Sequence, residues 1–105
     1  MQAIWKAAYD AGVDVVLAGH THNYERFAPQ GATGALNNST GVREFVVGTG
    51  GANFASASSP IANSQVLQNT TFGVLELSLH ATSYDWRFLP EAGKAFTDSG
   101  STACH

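Results

Sequence analysis

Two imidazoles stand two positions apart, His20 and His22, directly after the largely apolar run Val13-Asp14-Val15-Val16-Leu17-Ala18-Gly19. Neutral imidazole is the commonest metal ligand among side chains. In extended backbone, residues i and i+2 point to the same side, so both rings can converge on one ion or on two neighbouring ions. Gly19 keeps the approach uncrowded, and ligands at the end of a rigid strand are well positioned. The pattern reads first as a metal site. Zinc, iron and manganese all suit imidazole, so these two residues do not choose the metal. The plainer alternative is a pair of loop histidines satisfied by hydrogen bonds, since His-x-His also arises by chance.

The other chemistry-bearing residues say less. His80 falls on the polar side of an alternating segment and reads as structural or solvent-exposed. Asp98-Ser99 resembles a nucleophile pair, but only the terminal His105 is left to complete a triad. Gly48-Thr49-Gly50-Gly51 has the composition of a phosphate nest. A tight exit turn from a strand is the better reading, because no helix start follows it.

The elements that position these residues follow from periodicity. Gln2 to Ala11 reads as a helix, with Ile4, Ala7 or Ala8, and Ala11 on one face and Trp5 and Tyr9 as an i,i+4 aromatic pair. Gly12 closes it. Val13 to Ala18 reads as a strand buried on both faces, with neighbours on both sides. Residues 28–42, rich in Gly, Ala, Asn, Ser and Thr, form a surface loop. Glu44 to Val47 is a second strand. Residues 52–70, with Ser56, Ser58, Ser59 and Pro60, read as a long mobile loop of the kind that is often functional. Thr71 to His80 is the clearest strand, with Leu75, Leu77 and Leu79 opposite Glu76, Ser78 and His80. Ala81-Thr82 turns it into Ser83–Leu89, whose Tyr84, Trp86 and Phe88 face inward. The tail from Pro90 should be irregular.

The chain has 105 residues, of which 44% are apolar and only 12% charged. That charge content is well under the roughly 25% usual for soluble domains. With 11 glycines, it suggests buried sheet and many turns, and it suits a piece of a larger core. A net charge of −3 offers no basic face for a nucleic-acid backbone. No apolar run approaches the roughly 20 residues of a membrane span. Cys104 is the single cysteine, so no internal bridge can form. It reads either as a free thiol on the tail or as the partner of a cysteine elsewhere in a secreted parent.

Gly19-His20-Thr21-His22-Asn23-Tyr24-Glu25-Arg26 resembles the last metal-binding motif of the calcineurin-like metallophosphoesterases, most nearly their purple acid phosphatase branch. Phe45-Val46-Val47-Gly48-Thr49-Gly50-Gly51, Phe72-Gly73-Val74-Leu75-Glu76-Leu77, Ser83-Tyr84-Asp85-Trp86-Arg87-Phe88 and Phe96-Thr97-Asp98-Ser99-Gly100-Ser101 extend the likeness in the same order. It covers nearly the whole chain apart from the loops near 28–42 and 52–70. The fold it implies is α/β: the C-terminal portion of a four-layer α/β/β/α sandwich, mostly β in this segment with one N-terminal helix. Residues 1–105 would then be the C-terminal part of a single catalytic domain.

The implied activity is hydrolysis of a phosphate ester at a two-metal centre, iron with zinc, manganese or iron. His20 would hold the more exchangeable divalent ion and His22 its partner. Asn23, Tyr24 and Arg26 would support the ligands or line the substrate cleft; a local salt bridge of Glu25 with Arg26 and a packed Tyr24 is the plainer reading. The family's four earlier motifs, Asp-x-His, Gly-Asp-x-x, Gly-Asn-His and a lone His, are absent. The nineteen residues before His20 hold no histidine and only two carboxylates, Asp10 and Asp14. The resemblance therefore implies a missing N-terminal part of the same domain, and Met1 need not be a true start. The general acid would lie on that missing part, so this segment has no catalytic residue of its own and is inactive alone. It also implies a secreted or extracytoplasmic parent.

Two other readings belong to different classes. One is a stand-alone, non-catalytic metal-binding or interaction module. The other is a complete enzyme of another metal class, for which His80 and His105 are the only further histidines. Metallo-β-lactamase-like sites want an Asp soon after the second His, where Asn23-Tyr24 stands. Cupins pair His-x-His with a later Glu, but Glu25 follows too closely and Asp14 replaces the expected glycine.

Overall fold

The computed structural model describes residues 2–56 and 59–105. Met1, and Ala57 and Ser58 of the loop expected over 52–70, lie outside the described residues. Helix α1 spans Gln2–Asp10. Gly12, at φ +79°, donates to the Tyr9 carbonyl at 3.1 Å, and Val13 donates to that of Ala8 at 3.1 Å. That pair of bonds is the Schellman closure expected of a post-helix glycine. None of the helix is buried, and Ile4 is 68% exposed, so its apolar face is uncovered. Polar bonds hold it instead to the 28–42 loop: Trp5 Nε1 donates to the Gly31 carbonyl at 2.9 Å, and Tyr9 and Thr40 hydroxyls meet at 3.0 Å.

The rest is two sheets. The first contains β1 (Val15–Ala18), β2 (Tyr24–Phe27), β3 (Arg43–Val47) and β4 (Ser64–Gln68), in the order β1-β3-β2-β4. Only the β1–β3 pair is parallel. The second contains β5 (Gly73–Leu79), β6 (Ser83–Pro90) and β7 (Ser99–Ala103), antiparallel in chain order. The protein is thus mostly β with one short helix, as expected. No helix among the described residues is long and apolar enough to cross a membrane.

The sheets meet through aromatic side chains. Tyr24 and Phe45 from the first and Tyr84, Trp86 and Phe88 from the second form the buried cluster. Tyr24 lies 4.8 Å from Phe88 and Phe45 lies 5.6 Å from Trp86, centroid to centroid. Such tilted pairs add roughly 0.5–1.5 kcal/mol beyond their area. Buried Arg43 crosses the same seam, donating to the Phe27 carbonyl at 2.7 Å and stacking 4.8 Å over the Trp86 ring. The β5–β6 hairpin turns at Ala81-Thr82, with Leu79 opposite Tyr84, as the alternation predicts. His80 is exposed and meets Asp85 at 2.9 Å.

Three expectations need correction. Strand β1 pairs only with β3 and is an edge strand, its Leu17 59% exposed, not a strand buried on both faces. Strand β4 lies inside the expected 52–70 loop, and β7 inside the tail expected to be irregular. Neither carries the apolar alternation that marks a strand. Each forms because an open strand edge, of β2 or of β6, offers its backbone a ladder.

Candidate metal centre

Strand β1 stops at Ala18, and the backbone then folds tightly. Thr21 N–H donates to the Gly19 carbonyl at 2.9 Å, and Asn23 N–H to that of Thr21 at 2.8 Å. His20 takes φ +73°. The stretch joining the two histidines is therefore not extended, and alternation along a strand is not what relates their rings. A non-glycine residue in the left-handed region is uncommon and costs of order 1 kcal/mol. Residues held this way cluster at ligand sites, which makes His20 a position where local ease has been given up. His20 is exposed and has no hydrogen-bond partner among the described residues.

His22 is held differently. Its Nδ1 lies 2.6 Å from the Asn53 carbonyl oxygen. A carbonyl only accepts, so Nδ1 carries the proton and the neutral ring keeps its lone pair on Nε2. The His22 carbonyl in turn accepts from Ala55 N–H at 2.9 Å. Behind the turn, Gly48 N–H donates to the Asn23 carbonyl at 2.9 Å. A Cβ on Gly48 would stand 2.0 Å from the Thr21 carbonyl oxygen. Gly48-Thr49-Gly50-Gly51 is accordingly a strand exit, close-packed at Gly48 and open at Gly50 and Gly51, that lets β3 reach the histidine turn. Gly48→Ala is expected to destabilise by about 1–3 kcal/mol through overpacking. A urea midpoint unchanged from wild type would show that the turn relaxes freely.

Asn23 is buried, and its Oδ1 has no hydrogen-bond partner among the described residues. An unmade bond at a buried acceptor costs roughly 1–3 kcal/mol. The oxygen is itself enclosed, so as the side chain stands it offers no open position to a group from outside the chain. The two imidazoles suit a borderline metal, but as a donor set they fit it only in part. Among the described residues, no three His, Cys, Asp or Glu gather where they could hold an ion. Zinc-type centres take three or four protein ligands.

Tyr24 and Arg26 turn toward the seam between the sheets. Tyr24 Oη donates to Asp98 Oδ2 at 2.6 Å. Arg26 forks onto the same carboxylate, Nε to Oδ2 at 2.7 Å and Nη2 to Oδ1 at 3.1 Å. Its Nη1 is engaged by Gln65. The guanidinium is committed here and is not offered to a phosphate. Burial alone would raise the Asp98 carboxyl, but the bonds from Arg26 and Tyr24 and the guanidinium charge outweigh it and hold it low. Burial first, and then the bond to Asp98, pushes the Tyr24 phenol above its ordinary range, so it stays a donor. Glu25 accepts from Ser64 Oγ at 2.6 Å, so a local Glu25–Arg26 bridge is not the arrangement. Sequence reasoning weighed Asp98 only as half of a nucleophile pair and missed its role here: it lies 72 positions from Arg26, and nothing local signals the pairing.

A mainly apolar cleft of about 530 Å³ opens beside Gly19, lined by Leu17, Ala18, Val47, Leu75 and Leu77 among others. Fold and site together define a mostly-β, two-sheet unit with a histidine pair on the turn after its one parallel edge strand. Comparison of the chain with protein-family models, with curated proteins and with solved structures found no match.

Proposed function

We propose that this chain is the C-terminal part of a metal-dependent phosphoric ester hydrolase of the calcineurin-like, purple acid phosphatase-like type. The observation that carries the reading is Gly19-His20-Thr21-His22-Asn23-Tyr24-Glu25-Arg26, with its second imidazole held so that Nε2 is free. His22 would present Nε2 to one ion and His20 its ring to a neighbouring one. Two bound ions, iron with zinc, manganese or iron, would supply water activation and polarisation of the phosphoryl oxygen. Asn23 follows the ligands in the chain and is buried beneath the turn, while Tyr24 and Arg26 brace the strand that leaves the site. The general acid and the remaining ligands lie on a preceding part of the same domain.

The open sheet edges support that wider architecture, in which these two sheets belong to a four-layer α/β/β/α sandwich. Strands β1 and β5 each have one free edge, and Leu17, Val74 and Leu79 are 59%, 58% and 77% exposed. Exposed apolar edges of this kind are normally paired or covered. A phosphate ester is the substrate class, and an extracytoplasmic location follows from the resemblance alone. The second reading, a metal-binding or interaction module, is favoured by the absence of a third ligand near the pair among the described residues.

The source DNA upstream of the Met1 codon separates the two. An in-frame extension carrying Asp-x-His, Gly-Asp-x-x and Gly-Asn-His, whose product hydrolyses a phosphate ester only when metal is bound, supports the enzyme. A stop codon and ribosome-binding site just before Met1 would leave the module.

A further inference from the structure

We infer that the loop from Gly48 to Ala55 is a positioning element that selects Nε2 of His22 as its ligand atom, with the Asn53 main-chain carbonyl as the positioning group. The inference rests on the metal reading for its purpose but not for its geometry. An unconstrained imidazole exchanges its proton between two nitrogens, and a ligand must present the bare one. The 2.6 Å bond from Nδ1 to the Asn53 carbonyl makes that choice before any ion arrives.

The carbonyl can do this only if its loop is fixed, and the loop is tied at both ends and in the middle. Thr49 Oγ1 donates to the Gly73 carbonyl at 2.8 Å, and Gly73 N–H returns a bond to Thr49 at 3.1 Å. The Phe54 ring stacks on Phe72 with centroids 4.3 Å apart and planes 15° off parallel. The Ala55 carbonyl accepts from Asn69 Nδ2 at 2.9 Å, while its N–H holds the His22 carbonyl. His22 is thus gripped at ring and backbone by one loop whose anchors all lie elsewhere. His20 has no such partner among the described residues, so the pair is a set donor beside an adjustable one.

Long-range proton–nitrogen spectra of the metal-free protein, labelled with 15N at histidine, read the tautomer directly. They are taken near pH 8, above the ordinary imidazole value of about 6.5. The His22 ring is identified by its loss in His22→Gln. In the wild type it should show one tautomer, protonated at Nδ1 and bare at Nε2. Asn53→Ala keeps the carbonyl and should keep that tautomer. Ala55→Pro removes the N–H that grips His22, and Phe54→Ala removes the stack; each should give an averaged ring and roughly 10–100-fold weaker metal uptake in the protein with its remaining ligands.

An Nε2-protonated or averaged ring in the wild type overturns the inference, and so does an unchanged tautomer in both folded loop variants. If the loop variants unfold, the wild-type and Asn53→Ala spectra decide it. A wild type with the set tautomer but no metal uptake would sink the metal reading and leave the positioning loop standing.

Discussion

His22→Ala, made in the protein that carries the upstream motifs, is expected to abolish phosphate-ester turnover and to lower metal content. Groups that merely orient a metal-bound histidine are worth roughly 10–100-fold in affinity or activity, so loss of the ligand itself should exceed about 100-fold. The ring is the one donor at the site with a preset lone pair, and no neighbouring His, Cys, Asp or Glu forms a three-residue group that would replace it among the described residues. His22 is half-exposed and outside every strand, so its truncation should leave the urea midpoint close to wild type. Metal content by elemental analysis and turnover of a chromogenic phosphate ester give the two readouts. Unchanged values of both would remove His22 from the centre.

The second large effect belongs to the seam. Asp98→Ala should cost about 3 kcal/mol, because it leaves the Arg26 guanidinium and the Tyr24 hydroxyl, both largely enclosed, without their acceptor. Breaking a buried pair by removing one partner typically costs about 3–5 kcal/mol. The lower end applies here, since Gln65 still engages Arg26. Against a total stability of about 5–15 kcal/mol, the loss should be plain in a urea unfolding curve. Equal midpoints for Asp98→Ala and wild type would show that the clasp contributes nothing.

The same clasp sets a pH dependence. The folded Asp98 carboxyl is held below the ordinary value of about 3.9, so the folded state binds its proton less readily than the unfolded chain. Its stabilisation is complete above that value and is lost as pH falls through the lower, folded one. Tyr24 acts at the other end. Its phenol is raised in the folded state, so stability declines as pH rises past the ordinary value of about 10. In Asp98→Asn the acid loss should shrink, which a set of urea midpoints across acid pH would show.

How much could be read without the fold differs element by element. The hairpin β5–β6 was legible, though its first strand is Gly73–Leu79 rather than Thr71–His80, because Tyr84, Trp86 and Phe88 alternate with polar residues and all three are buried. Period-two patterning survives in the sequence when one face of a strand is core and the other is not. Helix α1 and its glycine closure were legible from local propensity. Strand β2 was not, since Tyr24-Glu25-Arg26-Phe27 places a charged residue among its inward positions. Arg26 can face inward only because Asp98 answers it from the far end of the chain. Ser99-Gly100-Ser101-Thr102-Ala103 became a strand for want of any other partner for β6, with no pattern of its own.

The sequence by itself singled out His20 and His22 as the candidate ligands on which the proposal rests, because ligand chemistry is a property of side-chain type and short spacing. It also determined the mostly-β character and the aromatic face that closes the core. Tertiary structure alone decided how those groups are presented. The Nε2 lone pair of His22, the edge position of β1 and the engagement of Arg26 by Asp98 all depend on atoms tens of residues away. Hydrogen bonds and packing across such separations leave no periodic trace along the chain, and they exist only once the sheets have met.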